Sequence, residues 1–241
     1  MEQKLQYIVD KIGELNIQIT EKQAEQFFRY YELLVEWNGF MNLTGITDFE
    51  EVVCKHFVDS LSIVKVKNMN EVDNLIDVGT GAGFPGIPLA IMNDSLKITL
   101  VDSLNKRINF LNEVCSKIKL KNTKAIHSRA EEFGQDNNYR ESYDIAISRA
   151  VSNLTVLAEY LLPLVKVGGK IICMKGPDIE EELKQAKSAI DILGGKFERC
   201  DNFCLPKSDI SRNIIIINKI KETPKKYPRK AGTPVKTPLF L

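Results

Sequence analysis

Asn74-Leu75-Ile76-Asp77-Val78-Gly79-Thr80-Gly81-Ala82-Gly83-Phe84-Pro85-Gly86 is the stretch on which the fold turns. A short buried strand leads into a glycine-rich turn, and an apolar run behind Gly86 opens a helix. Glycine lacks a Cβ and tolerates positive φ, so backbone at such a turn approaches a ligand closely. A helix start carries N–H groups without intrahelical partners, which are expected to face that ligand. Two registers fit the glycines. Gly81-Ala82-Gly83-Phe84-Pro85-Gly86 matches the dinucleotide fingerprint G-x-G-x-x-G. It starts late relative to the strand, and it sets Pro85 and Pro88, which donate no N–H, at the helix start. The register from Gly79 reads Asp-x-Gly-x-Gly-x-Gly, the pattern of S-adenosylmethionine (SAM) sites. It places Asp77 at the strand tip as an acceptor for an ammonium group, and it is preferred.

Downstream, Lys97-Ile98-Thr99-Leu100-Val101-Asp102 is an apolar run ending in an acid 23 residues after Gly79. An acid about 20 residues on, at the end of a second strand, holds a ribose hydroxyl pair. Asp102 also suits the N-cap of a helix over 103–117, and the two roles are compatible.

From residue 74 onward strands and helices alternate. Strands are expected at 74–78, 97–101, 123–127, 143–148, 170–174, 197–203 and 213–219, with helices between the first five and at 178–193. Alternation implies an α/β doubly wound sheet, mainly parallel. The connector Leu205-Pro206-Lys207-Ser208-Asp209 is too short for a crossover helix, so the last two strands pair antiparallel at an edge. Seven strands so arranged are the SAM-dependent methyltransferase (class I) fold. Ahead of them the pattern is helical: Thr20-x-x-Gln23 is a capping box, followed by Ala24, Phe27, Phe28, Tyr31, Leu34 and Val35 at helical spacing. Thr47-x-x-Glu50 opens a further helix. The expected division is a helical extension over 1–70, a methyltransferase domain over 71–220 and a basic tail over 221–241.

With 44% hydrophobic and 27% charged residues in 241, the composition is that of a globular protein. No apolar stretch approaches the roughly 20 residues of a membrane span, and Met1-Glu2-Gln3-Lys4 is not a secretory start. The cytoplasm is expected. The five cysteines are scattered without a C-x-x-C pair, and there are two histidines, so free thiols and no metal are expected. Residues 1–70 carry 7 basic and 11 acidic side chains, residues 71–218 carry 19 and 20, and residues 219–241 carry 7 and one. The surplus lies in the tail, which suits a polyanion.

Together these pieces carry a resemblance. The chain resembles the RsmG (GidB) family of bacterial 16S ribosomal RNA guanine-N(7) methyltransferases along nearly its whole length. The matching segments are Asn42-Leu43-Thr44, Lys55-His56-Phe57-Val58-Asp59-Ser60-Leu61, the glycine loop through Pro88, and Asp102-Ser103-Leu104-Asn105-Lys106-Arg107. They continue with Ser128-Arg129-Ala130-Glu131-Glu132, Ile147-Ser148-Arg149-Ala150, Met174-Lys175-Gly176 and Tyr227-Pro228-Arg229-Lys230-Ala231-Gly232. Family members typically show Leu where Phe84 stands. The resemblance implies methyl transfer from SAM to a guanine of small-subunit rRNA near the decoding site, by a protein expected to be monomeric. It implies that Gly79 and Phe84, with Gly81 in the same loop, line the methionine end, and that Ala130 and Glu131 meet the adenine. It puts Arg149 where cofactor and target base meet, as the catalytic residue. Lys175, Arg212, Lys226, Arg229 and Lys230 are then expected to hold the RNA backbone.

The residues after the fourth strand agree. Ser148-Arg149-Ala150 is neither the Asn-Pro-Pro-aromatic that grips an exocyclic amine nor a Pro-Cys pair that attacks a pyrimidine. Guanine N(7) has an in-plane lone pair and no proton, so its methylation rests on positioning rather than a general base. Phe84, Phe40 and Tyr227 are candidates to stack the base, and His56 and Asp59 share one helix face.

Overall fold

The computed structural model describes residues 1–149 and 151–239, with Asn70 by its backbone alone. Ala150 of the Ser148-Arg149-Ala150 motif and the last two residues of the tail lie outside the described residues. Seven strands form one sheet: β1 (Asn74–Val78), β2 (Lys97–Asp102), β3 (Thr123–His127), β4 (Tyr143–Arg149), β5 (Val165–Lys175), β6 (Gly195–Cys204) and β7 (Ser211–Lys219). Their order is β3-β2-β1-β4-β5-β7-β6. The first five pair in parallel and β7 runs antiparallel to both β5 and β6, as the short connector requires. Strand β5 is much longer than the expected 170–174. Its early part reaches β4 through an irregular register between Tyr143 and Ile145, which an apolar run does not reveal.

Alternation at period two divides the strand side chains between two cores. Leu75, Ile98, Leu100, Ile145, Ile147, Ile172 and Ile214 face one; Ile76, Val78, Val101, Ala146, Ile171, Cys173 and Ile215 face the other. Crossovers α5 (Gly86–Met92) and α6 (Asn105–Lys117) cover the first face. Helices α7 (Ala130–Phe133), α8 (Leu154–Leu161) and α9 (Glu180–Ile192) cover the second. The order reverses between β1 and β4, which opens a crevice at their carboxyl ends.

The first core also takes in α1 (Glu2–Gly13) and α2 (Glu21–Asn38). The Thr20–Gln23 capping box is present. Helix α2 buries Ala24, Phe27, Tyr30, Leu33 and Leu34, whereas Phe28 and Tyr31, expected on that stripe, pack instead against Phe49. Each large apolar side chain so buried contributes about 1.5–3 kcal/mol. The amides of Gln23 and Gln26 donate to the Ile91 and Ile118 carbonyls at the ends of α5 and α6, stitching α2 to the crossovers. After α2, Asp48 rather than Thr47 caps α3 (Phe49–Val52), because its Oδ1 accepts the Glu51 N–H at 3.0 Å. That helix does not stay regular. Val53–Val58 is a π-helical segment leading into α4 (Asp59–Leu61), and such segments concentrate at functional sites.

Candidate active site

At the carboxyl end of β1 the chain turns at Gly79 with φ +69°, and a Cβ there would lie 2.6 Å from Val151. Only glycine passes this point. Asp77 stands behind the loop, fully buried. Its Oδ2 accepts the Thr80 hydroxyl at 2.7 Å and the Gly86 N–H at 2.9 Å, while Oδ1 has no partner. Burial pushes its pKa up to about 6 against those two hydrogen bonds. The side chain expected to receive an ammonium group is thus a brace of the loop and does not line the cavity. The helix start is equally committed. Gly86 N–H goes to Asp77, Ile87 N–H to the Gly83 carbonyl and Leu89 N–H to the Pro85 carbonyl, so the expected free donors are absent there.

In front of the loop lies a cavity of about 530 Å³. It brings together Gly79, Gly81, Phe84, Asp102, Ala130, Glu131 and Arg149. Asp102, at the end of β2, accepts the Gly81 N–H on Oδ2 and the Leu104 N–H on Oδ1, both at 3.0 Å. Helix α6 has Leu104 as its N-cap, so Asp102 does not cap it. The Arg107 guanidinium lies 3.2 Å from Oδ2. Glu131, also buried, accepts the Tyr160 hydroxyl at 3.3 Å and the Gly232 N–H at 2.8 Å.

Gly232 belongs to the tail, which is folded rather than solvated. Arg140 donates to the carbonyls of Thr223 and Tyr227, and Tyr227 is buried. Arg229 clasps the buried Glu159 through Nε at 2.9 Å and Nη2 at 2.7 Å. A carboxylate so deep requires that partner, so the Arg229 charge is engaged inside the protein. Gly232 and Val235 then line one end of the cavity. Lys226 and Lys230 remain exposed, beside a shallow cleft that also contains Glu132 and Gln135.

A second cavity of about 760 Å³ adjoins the first. The two share His56, Arg149 and Val151 as a common wall. Arg149 donates through Nη1 to Asp59 Oδ2 at 3.0 Å and to the Lys55 carbonyl at 3.3 Å. Arg212 donates to the other oxygen of Asp59 at 2.9 Å. Two guanidiniums on one buried carboxylate leave a net positive charge facing the cavity. Arg212 and Lys175 therefore line this cavity, but both are paired, Lys175 with Glu182 at 2.7 Å and the Ser152 carbonyl. His56 and Asp59 do not touch directly; Arg149 lies between them, bonded to Asp59 and with Nη2 3.5 Å from His56 Nδ1.

His56 stacks on Phe84 with centroids 4.6 Å apart, and Arg149 Cζ lies 4.9 Å from the same ring. Nδ1 of His56 faces the Lys55 carbonyl, which only an N–H can satisfy, and Nε2 then accepts the Thr44 hydroxyl. Burial and the neighbouring Arg149 lower its pKa to about 4, so the ring is neutral near pH 7. Of the stacking candidates, Phe84 and Tyr227 are buried, and the exposed Phe40 rests on Trp37 outside both cavities. Among the described residues no group of His, Cys, Asp and Glu is placed to hold a metal, and all five cysteines are free.

Residues 23–214 match the family model described as rRNA small subunit methyltransferase G, GidB. The chain belongs to that family. It is 51% identical over 239 residues to the Ribosomal RNA small subunit methyltransferase G of Alkaliphilus metalliredigens, covering 99% of this chain and 100% of that one. The protein of the same name from Alkaliphilus oremlandii is 53% identical, covering 93% and 94%. Like the family, the protein is a SAM-dependent methyltransferase. Solved structures agree on the fold. A SAM-dependent methyltransferase from Aquifex aeolicus superposes with TM-score 0.53 at 19% identity, covering 70% of this chain and 93% of that one. The [4+2]-cyclase SpnF gives 0.55 at 12%, covering 83% and 96%. A cyclase on the same frame shows why the reaction is read from the site and not from the fold.

Several site residues lay outside the sequence reading. Tyr30 donates its hydroxyl to the Ala82 carbonyl, Tyr160 and Val235 line the first cavity, and Glu159 anchors the tail through Arg229. The partners of Tyr30, Glu159 and Tyr160 are 52, 70 and 29 residues away along the chain, so no local spacing marks them.

Proposed function

We propose that this enzyme moves the methyl group of SAM onto N(7) of a guanine in small-subunit rRNA, with the donor along the first cavity and the guanine in the second. The observation that carries the reading is the common wall of His56, Arg149 and Val151, where the two cavities meet. The first cavity fits the cofactor. Gly79, Gly81 and Phe84 would flank the methionine end. Asp102 would take the ribose hydroxyls in place of Arg107, whose guanidinium is the more exposed partner of their ion pair. Ala130, Tyr160 and Val235 would enclose the adenine, with the Glu131 carboxylate at its edge. When bound, SAM supplies an electrophilic methyl on a sulfonium.

The chain's own residues then position a nucleophile and keep charge in place. Arg149, held by Asp59 and the Lys55 carbonyl, presents a fixed cation to the electron-rich edge of guanine. The wall offers no base. Both His56 nitrogens are occupied and Asp59 is saturated by two guanidiniums. That favours a nucleophile with no proton to lose, which N(7) is and an exocyclic amine is not. We place this activity in the cytoplasm, in a monomer acting on the small subunit or its rRNA; no helix among the described residues is long and apolar enough to cross a membrane.

The test is transfer of labelled methyl from SAM to small subunits and naked 16S rRNA from a strain lacking this protein, followed by nucleoside digestion. The proposal expects label in 7-methylguanosine. Label in any other nucleoside overturns the assignment of the target atom, and label in neither RNA overturns the rRNA reading.

A further inference from the structure

Three of the five cations expected on RNA are engaged inside the protein: Lys175 with Glu182, Arg212 with Asp59 and Arg229 with Glu159. The fold offers another set. Residues 103–130 carry seven basic side chains and one acid, Glu113, a bias hidden within the nearly neutral middle of the chain. Six of the seven, Lys106, Lys117, Lys119, Lys121, Lys124 and Arg129, are exposed. None of the six is in an ion pair among the described residues, although Lys124 reaches the Tyr139 hydroxyl at 3.5 Å.

Topology aligns them. β2 and β3 run toward the first cavity, and α6 runs back from it, so Lys106 stands at the cavity end and Lys117 at the far end. Thirteen helical residues separate the two ends by about 20 Å. Lys119 and Lys121 turn the corner, Lys124 lies on β3 as it returns, and Arg129 lines the cavity mouth. The tail joins at the same place. The Gln135 amide, just past α7, donates to the Lys225 and Pro228 carbonyls and so sets Lys226 and Lys230 beside α7, the helix that Arg129 precedes.

From this arrangement we infer that the β3 edge and the outer face of α6 form the surface that holds the RNA backbone, leading it to the mouth of the active site. The inference rests on the proposed RNA substrate and specifies how that substrate is held. Exposed unpaired lysines in a strip suit phosphates, because they give up few internal contacts and release counterions on binding. A sheet edge guarded by lysines against strand addition is the competing explanation, and it requires no RNA.

The quadruple variant Lys117→Gln/Lys119→Gln/Lys121→Gln/Lys124→Gln tests this, since all four side chains are exposed and none lines either cavity. Filter retention of naked 16S rRNA is measured over a range of salt concentrations, beside methyl transfer and SAM binding. The variant is expected to raise Kd and KM for RNA at least about tenfold and to flatten the log–log salt dependence by about three, roughly 0.7–0.9 per lost contact. SAM affinity and the rate at saturating RNA stay at the wild-type level. Wild-type Kd and salt slope in the variant overturn the inference and leave the lysines as edge protection. Wild-type protein that retains RNA but transfers no methyl contradicts the proposed reaction, and the binding slopes still read the surface.

Discussion

Asp59 is the residue on which the wall between the cavities depends. It is buried and receives both Arg149 and Arg212, and it does not line the first cavity. Replacing it with Asn removes the charge that fixes two guanidiniums. We expect Asp59→Asn to lower kcat about 100-fold or more, as loss of a buried pair partner does. SAM affinity, measured by calorimetry, is expected to change by less than about threefold. An equal loss of SAM affinity would mean that Asp59 supports the whole site and not the wall. His56 gives a stability signature at the same scale. Its pKa is about 4 in the folded chain against 6.5 unfolded. Unfolded chains therefore bind more protons between those values, so the contribution is full above about pH 6.5 and is lost as pH falls toward 4. Relative to His56→Gln, the wild-type protein is expected to lose roughly 3 kcal/mol over that window. Urea unfolding at the two ends reads the difference, and a constant gap would show that the ring protonates freely in the fold. Asp77, raised to about 6, works in the opposite sense, losing stability as pH rises through the same window. Comparison with the single variant therefore isolates His56 where the wild-type profile alone would look flat.

Among elements, the C-terminal segment differs most from its sequence reading. Its surplus of lysine and arginine was visible, and a free polyanion-binding tail is what such composition ordinarily means. Composition could not show that Arg229 would find Glu159, 70 residues earlier, or that Gly232 would close on Glu131. The segment is a strap over the Glu131 end of the cavity, where the adenine is proposed to lie. Glu159→Gln keeps the volume of the side chain and removes its charge, and it is expected to weaken SAM binding at least about tenfold by releasing the strap. RNA retention by filter binding should stay within about twofold, as the strip on α6 and β3 is untouched. The opposite pattern, RNA affinity lost and SAM affinity kept, would restore the tail to its expected role. The crossover strands and helices, by contrast, were legible because each obeys its own local period. The π-helical segment at Val53–Val58 was not, since its sequence has the pattern of an ordinary helix and the widening serves contacts with Arg149 from a distant strand.

Across the whole molecule, the sheet, the glycine loop and Asp102 were readable because strand, turn and helix follow one another within a few residues, whereas Glu131 was marked only by the family resemblance. What joins them was not legible. Tyr30 on α2 reaches the loop at Ala82, Arg149 on β4 reaches Asp59, and the strap reaches α7, all contacts between distant segments. The account built from these contacts says that two cavities meet at a wall holding a fixed cation and no base. Its chemical consequence is direct. A proton-free nucleophile makes the transfer step independent of pH, whereas an amine or hydroxyl target needs a group to take its proton. The decisive measurement is the single-turnover rate of methyl transfer to saturating rRNA between about pH 6.5 and about pH 8.5. A flat profile is predicted; a rate that climbs with pH in proportion to a deprotonating group would contradict the account and require a base at the wall.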